Sequence, residues 1–178
     1  MAKNVLLMES DSSGRRGASS GEIAEVYRQL KKDRNYKVCV FGRSLKGMPK
    51  EDCIDRSSLY HTRFDAIVLC SLRDVMYVKT YRLFNRDNPG TKYIYVDKCG
   101  LASALMAGKT RKMLPARLIE WNLFLNLSSW LDHYIATSPE EKRLAEEHFD
   151  GVGTKVHMAS GQGSSQLAAA CRHIISRS

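Results

Sequence analysis

Hydrophobic residues along this 178-residue chain gather into six short runs: Asn4–Met8, Lys37–Phe41, Asp65–Cys70, Lys92–Val96, His133–Thr137 and Thr154–Met158. Runs that are nearly continuous in apolar residues and followed by turn or helix signals fit strands buried on both faces of a parallel sheet. Between most of them the period changes to that of a helix. Ile23, Val26, Tyr27 and Leu30 repeat at i, i+3, i+4 and i+7, with Ser19 placed to cap the helix and Glu22 to complete a capping box. Asp74 is placed to cap a helix through Phe84, which stops before the turn Asn88-Pro89-Gly90. Pro115 to Asp132 reads as a long helix rich in Leu, Trp and Phe, and Leu167, Cys171, Ile174 and Ile175 mark a final amphipathic helix. The clearest helix start is Ser138, with Pro139 at the first helical position and Glu141 three residues after the cap. The stretch from Ser44 to Thr62 reads either as a loop or as holding a short extra strand around Leu59. Such alternation predicts an α/β fold: an open doubly wound, mostly parallel sheet of about six strands with helices on both faces, Rossmann-like, in one domain over residues 1–178.

Composition narrows the class. At 43% hydrophobic residues the chain can supply one sizeable core. Its five cysteines, Cys39, Cys53, Cys70, Cys99 and Cys171, are odd in number and irregular in spacing. They make neither a disulfide framework nor a metal knuckle and read as buried reduced thiols of a cytoplasmic protein. Val5–Met8 is too short for the core of a signal peptide, and Leu118–Leu131 falls short of the ~20 apolar residues that a membrane span needs. A formal charge of +9 points to an anionic partner: a phosphate-bearing substrate, an acidic lipid surface or nucleic acid. A nucleic-acid role would rest on that charge alone, since no recognition motif accompanies it.

Candidate chemistry begins after the first strand, where Gly14, Arg15, Arg16 and Gly17 precede a helix. A glycine-containing loop at a helix N-terminus offers backbone N–H groups to a phosphate, and the two arginines add charge. The spacing makes neither the dinucleotide fingerprint nor a P-loop, so a plain crossover loop is the competing reading. His61, His133, His148, His157 and His173 show no metal-binding spacing, so no metal or cofactor is predicted. Lys109, Arg111, Lys112 and Arg117 stand just before Trp121, Phe124, Leu125 and Trp130. That pattern suits an interfacial segment on anionic lipid at the inner face of a membrane. The favoured alternative makes Trp121, Leu125 and Trp130 core residues, because one face of this helix must cover the sheet.

Several of these segments occur together, in order, in a known family. Tyr134–Phe149 followed by Gly151–Met158 resembles the "ViavSeaekerl…fgv…kVhvipNGvd" unit that closes the N-terminal domain of family 4 glycosyltransferases. Gly17-Ala18 is similar to that family's Gly-Gly-Ala-like loop, Tyr36–Phe41 to its "hevtvf" strand, Arg63–Val68 to "fDvvh" and Gly90–Tyr95 to "pvvyt". The likeness covers residues 3 to 158, with 159–178 left as linker and final helix. It implies half of a GT-B fold, the acceptor-side domain of an enzyme that moves a sugar from a nucleotide sugar to a carbohydrate or lipid-linked acceptor. On that model Gly14–Gly17 lie near the donor phosphates and Ser71 lines the cleft; Asp97 is the candidate base or accepts a hydrogen bond from a sugar hydroxyl, with an ordinary helix-cap or turn residue as the competing reading, and Lys98 meets a phosphate.

The chain departs from the family pattern at positions that matter. Cys70-Ser71 and Asp97–Gly100 stand where the family carries cleft histidines. Met158–Gly163 replaces the element that leads into the donor-binding domain, and no E-x7-E pair occurs. The resemblance therefore implies a donor-binding partner subunit or a missing C-terminal domain. A non-catalytic interaction or regulatory domain and a small phosphate- or nucleotide-binding α/β protein remain alternatives.

Overall fold

In a computed structural model, the structure describes residues 2–9, 19–42, 48–86, 90–96, 122–123, 125–159 and 164–177. Six strands, β1 (Lys3–Met8), β2 (Tyr36–Phe41), β3 (Ala66–Leu69), β4 (Lys92–Val96), β5 (His133–Ala136) and β6 (Lys155–Met158), form one sheet in the order β2-β1-β3-β4-β5-β6. Every neighbouring pair is parallel. Each predicted run holds a strand, and the mostly parallel expectation becomes wholly parallel in the described sheet.

The order of the strands decides where the helices go. The chain steps one way from β1 to β2 and the other way from β2 onward, so a constant crossover hand puts α1 (Ser19–Lys31) on one face. The later connections then cover the opposite face: α2 (Arg56–His61), α3 (Val75–Phe84), the helical residues 122–123 and 125–128, and α4 (Pro139–His148). Side-chain alternation along the strands serves both layers. Val5, Leu7, Ala66, Val68, Ile94, Val96 and Ile135 face the α1 side, while Leu6, Met8, Ile67, Leu69, Tyr93, Tyr95 and Tyr134 pack under the others. A single α1 cannot cover six strands. The last helix, α5 (Ser164–Ser176), returns to its side and buries Leu167, Ala168, Cys171, Ile174 and Ile175 beside Ile23, Val26 and Leu30. Lys3 Nζ donates to the carbonyls of Ile175 at 2.8 Å and Ser176 at 3.3 Å, placing a cation where the helix end is negative.

Local departures from expectation have local causes. Leu59 lies in α2, not in a strand. Asp55 caps that helix by accepting the Ser58 N–H at 2.7 Å, and Leu59 is the fully buried residue of the short amphipathic turn. Helix α1 begins at Ser19 itself, one residue earlier than a capping serine would allow. The side chains of Ser19 and Glu22 lie outside the described residues. Asp74 does precede α3, but a 3-10 turn over Leu72–Asp74 sets its backbone in the helical region, and its carboxylate makes no capping hydrogen bond. The helix before β5 stops short of Asp132: Ser128 and Ser129 donate to the carbonyls of Leu125 and Asn126, each at 2.8 Å, and a turn follows. Leu125 is 42% exposed, against its expected place in the core, whereas Leu127 and Leu131 are buried. Trp121 and Phe124 lie outside the described residues. Of the thiols, Cys70 and Cys171 are buried, but Cys39 is half-buried and Cys53 exposed, since Cys53 follows a 3-10 turn on the rim of the sheet; Cys99 lies outside the described residues.

The α4 start forms the full capping box. Ser138 Oγ accepts the Glu141 N–H at 3.2 Å, and Glu141 Oε2 accepts the N–H of Ser138 at 3.1 Å. The same carboxylate also accepts the Thr137 N–H at 2.8 Å and the Thr137 hydroxyl at 2.7 Å. Replacing Ser138→Ala should cost about 1 kcal/mol of stability. The drop would be read as a fall of roughly 2–4 °C in the thermal midpoint for a domain of this size, and an unchanged midpoint would show that the box contributes nothing.

Candidate functional site

In an open parallel sheet the loops that leave the carboxyl ends of the strands meet at the point where the chain reverses direction. Here that point lies between β1 and β3. Met8 and Leu69 are in register there, and Leu69 is in register with Tyr95 of β4, so three adjacent strands end level with one another. The Cys70 N–H donates to the Met8 carbonyl at 3.2 Å and the Glu9 N–H to the Phe41 carbonyl at 3.1 Å, extending the ladder past the strand ends. Glu9, Cys70, Ser71 and Asp74 are all buried at this rim. Ser71 is 4% exposed, and its carbonyl accepts the Asp74 N–H at 3.1 Å in the turn that opens α3.

Of the candidate catalytic and phosphate-binding residues predicted from the sequence, only Ser71 falls within the described part of the rim. Gly14, Arg15, Arg16 and Gly17, which follow β1, and Asp97 and Lys98, which follow β4, lie outside the described residues. Lys109, Arg111, Lys112 and Arg117 do so as well.

Gly42, just past β2, is a feature of this rim that the sequence reading missed. A β-carbon there would stand 2.1 Å from the Glu9 carbonyl oxygen, and the backbone φ is +156°. Two strand ends approach more closely than a side chain permits. No neighbouring turn signature announces it, because the crowding comes from a residue 33 positions away in sequence.

Two contacts between titratable groups were also invisible in the sequence. Asp52, on a 3-10 turn after β2, is buried and accepts from the Tyr27 hydroxyl and from Lys31 Nζ, the latter at 2.6 Å. Burial pushes this carboxyl up, but the hydrogen bonds from Lys31 and Tyr27 outweigh it and hold it below its ordinary value. The tie joins α1 to the β2 crossover. His133 and His157 meet across β5 and β6, with Nδ1 of the first 2.9 Å from Nε2 of the second. Burial, then the neighbouring His157, Lys92 and Lys155, push His133 down to about 4. Burial, then His173, Lys155 and Arg177, lower His157 too. The pair is held neutral and structural. Among the described residues no three His, Cys, Asp or Glu side chains converge as a metal site, and no helix is long and apolar enough to cross a membrane.

Two expectations follow. Gly42→Ala should destabilise the domain by about 2 kcal/mol or more, through forced displacement of the β1 and β2 ends; an unchanged denaturation midpoint would mean that the approach is looser than described. A histidine whose folded pKa lies below its unfolded value adds stability above about pH 6.5, and that stability is lost as pH falls towards 4. Acid titration of the fold should therefore show a loss of about 2 kcal/mol or more over that range that His133→Gln removes. Equal acid sensitivity in both proteins would assign the loss elsewhere.

No family model matches the chain, and no curated protein is found similar to it. Fold and rim geometry make it a Rossmann-like α/β domain with six parallel strands.

Proposed function

We propose that this domain is the acceptor-side half of a GT-B glycosyltransferase, passing a sugar from a nucleotide sugar to a carbohydrate or lipid-linked acceptor together with a donor-binding partner. The observation that carries the reading is the strand order. β1, β3 and β4 are adjacent and parallel and end level, so the segments containing Gly14–Gly17, Ser71 and Asp97-Lys98 all depart from one stretch of one rim. Ligands of open α/β sheets bind at such a rim.

In this reading Asp97 accepts the proton of the acceptor hydroxyl as its oxygen bonds to the anomeric carbon. The bond from that carbon to the nucleotide's phosphate oxygen breaks, and the electron pair leaves with the nucleoside diphosphate. Arg15, Arg16 and Lys98 offset the charge that develops on the phosphates. The cleft histidines of the resembling family are absent, which leaves Asp97 as the candidate base.

A second reading, a small phosphate- or nucleotide-binding α/β protein, is favoured by the reversal point between β1 and β3, where doubly wound sheets hold phosphate-bearing ligands. Calorimetric titration with short glycans, a polyprenyl-phosphate analogue, nucleotide sugars and free nucleotides separates the two. Glycan or polyprenyl-phosphate binding without nucleotide, weakened by Asp97→Asn, is expected for the acceptor half. Nucleotide binding abolished by Arg15→Ala with Arg16→Ala would replace it with the second reading, and silence across the panel would sink both.

A further inference from the structure

The opposite, amino-terminal rim of the sheet carries a groove that no part of the preceding mechanism uses. It encloses about 640 Å³ between the second half of α3, the start of β4 and residues 126–130. That size is within the range of small-ligand sites. Lys79, Arg82 and Arg86 line it together with Asn85, Asn126, Tyr93 and Trp130, and among the described residues no Asp or Glu does.

Three cations in one groove require an explanation. Cations are common at helix C-termini, and two helices end here, but each end carries only about half a negative charge. Three full positive charges exceed what both ends can offset. Among the described residues Lys79, Arg82 and Arg86 form no ion pair. Among the described residues the carboxylate nearest in sequence to the lining, Asp132, accepts the Tyr93 N–H at 2.8 Å and is not part of the groove wall; Asp87, which follows Arg86, lies outside the described residues.

The central cation is also held in place. Arg82 lies over the Tyr93 ring at 5.4 Å and over the Trp130 ring at 5.1 Å, and those rings meet edge to face at 5.2 Å. Trp130 Nε1 donates to Asn126 Oδ1 at 3.4 Å, which fixes the indole. A guanidinium held against two rings in this way has lost much of its rotamer freedom before any ligand arrives, so less is lost on binding. Its planar fork matches two oxygens of a phosphate, and Lys79 on α3 with Arg86 in the turn after it adds further positive charge.

We propose that this groove binds a phosphate ester, with Arg82 as the anchoring donor and Lys79 and Arg86 closing on the remaining oxygens. The site stands at the other rim from the glycosyltransferase reading and does not rest on it. Leu83, 54% exposed in the groove wall, and its neighbour Phe84, 65% exposed, give a lipid headgroup an apolar margin to sit beside. A soluble ester would use the cations alone.

The test has two arms: sedimentation with phosphatidylcholine vesicles, with and without phosphatidic acid, and calorimetry with glycerol 3-phosphate. Lys79→Gln with Arg86→Gln, both exposed and away from the stacked rings, should weaken binding by about tenfold or more in whichever arm shows it. Arg82→Gln should weaken it further, with circular dichroism checking the fold. Lys32→Gln with Arg34→Gln, the same change of charge elsewhere, should leave affinity within about twofold, since surface charges beyond a Debye length are screened. Binding to acidic vesicles alone assigns the lipid source, and binding to glycerol 3-phosphate assigns a soluble one. Binding in neither arm, or equal losses in the groove and control variants, overturns the site. Because the panel testing the carboxyl-rim reading depends on Asp97, Arg15 and Arg16, failure of one proposal leaves the other standing.

Discussion

Everything in this fold depends on the need of a parallel sheet to be covered on both faces. Parallel strands cannot be joined by tight turns; each connection must cross a face, and the crossover hand fixes which. With β1 and β2 the only step in one direction, one face receives α1 alone. Val68, Ile94, Val96 and Ile135 would then meet water, which no set of local interactions could offset. Helix α5 closes that gap, and its packing on α1 makes the last helix part of the core and not an appendage. The Lys3 contacts to its final carbonyls tie the beginning of β1 to the end of α5, so the two ends of the described sequence stabilise one another.

The same constraint sorts what could be read from the residues. Strands buried on both faces carry their signal in every position, and runs such as Lys92–Val96 were therefore legible to the residue. Ser138, Pro139 and Glu141 were legible because a capping box is complete within a few residues. Where two local signals competed, reading failed. Leu59 is apolar between polar neighbours, which suits a strand, yet Asp55 four residues earlier nucleates a helical turn. Leu125 and Leu127 both fit an apolar face, and only the position of the sheet decides that Leu127 is covered and Leu125 exposed.

The candidate sites show the limit more sharply. The rim of β1, β3 and β4 could be located because topology follows from the order of strands and helices. Its chemistry could not, since the side chains that would act there follow strand ends and are unconstrained by the period of either element. Gly42, the His133–His157 pair and the Arg82 stack were out of reach for another reason. Each is made by residues from separate elements whose meeting depends on register, and one residue of slip in β6 would turn His157 to the other face.

The two rims also differ in what an anion must find there. At the carboxyl rim helices begin, and their free N–H groups and positive dipole ends supply binding without any charged side chain. At the amino rim helices end, and the backbone presents carbonyls, which repel a phosphate. A ligand of that kind can be held there only by side-chain cations numerous enough to reverse the local field, and at least one must be oriented in advance because the backbone provides no cradle. Lys79, Arg82 and Arg86 reverse the field, and Tyr93 with Trp130 supplies the orientation. Stability alone would ask for one cation at the α3 terminus; the second and third, and the aromatic clamp around the first, are what binding adds to it.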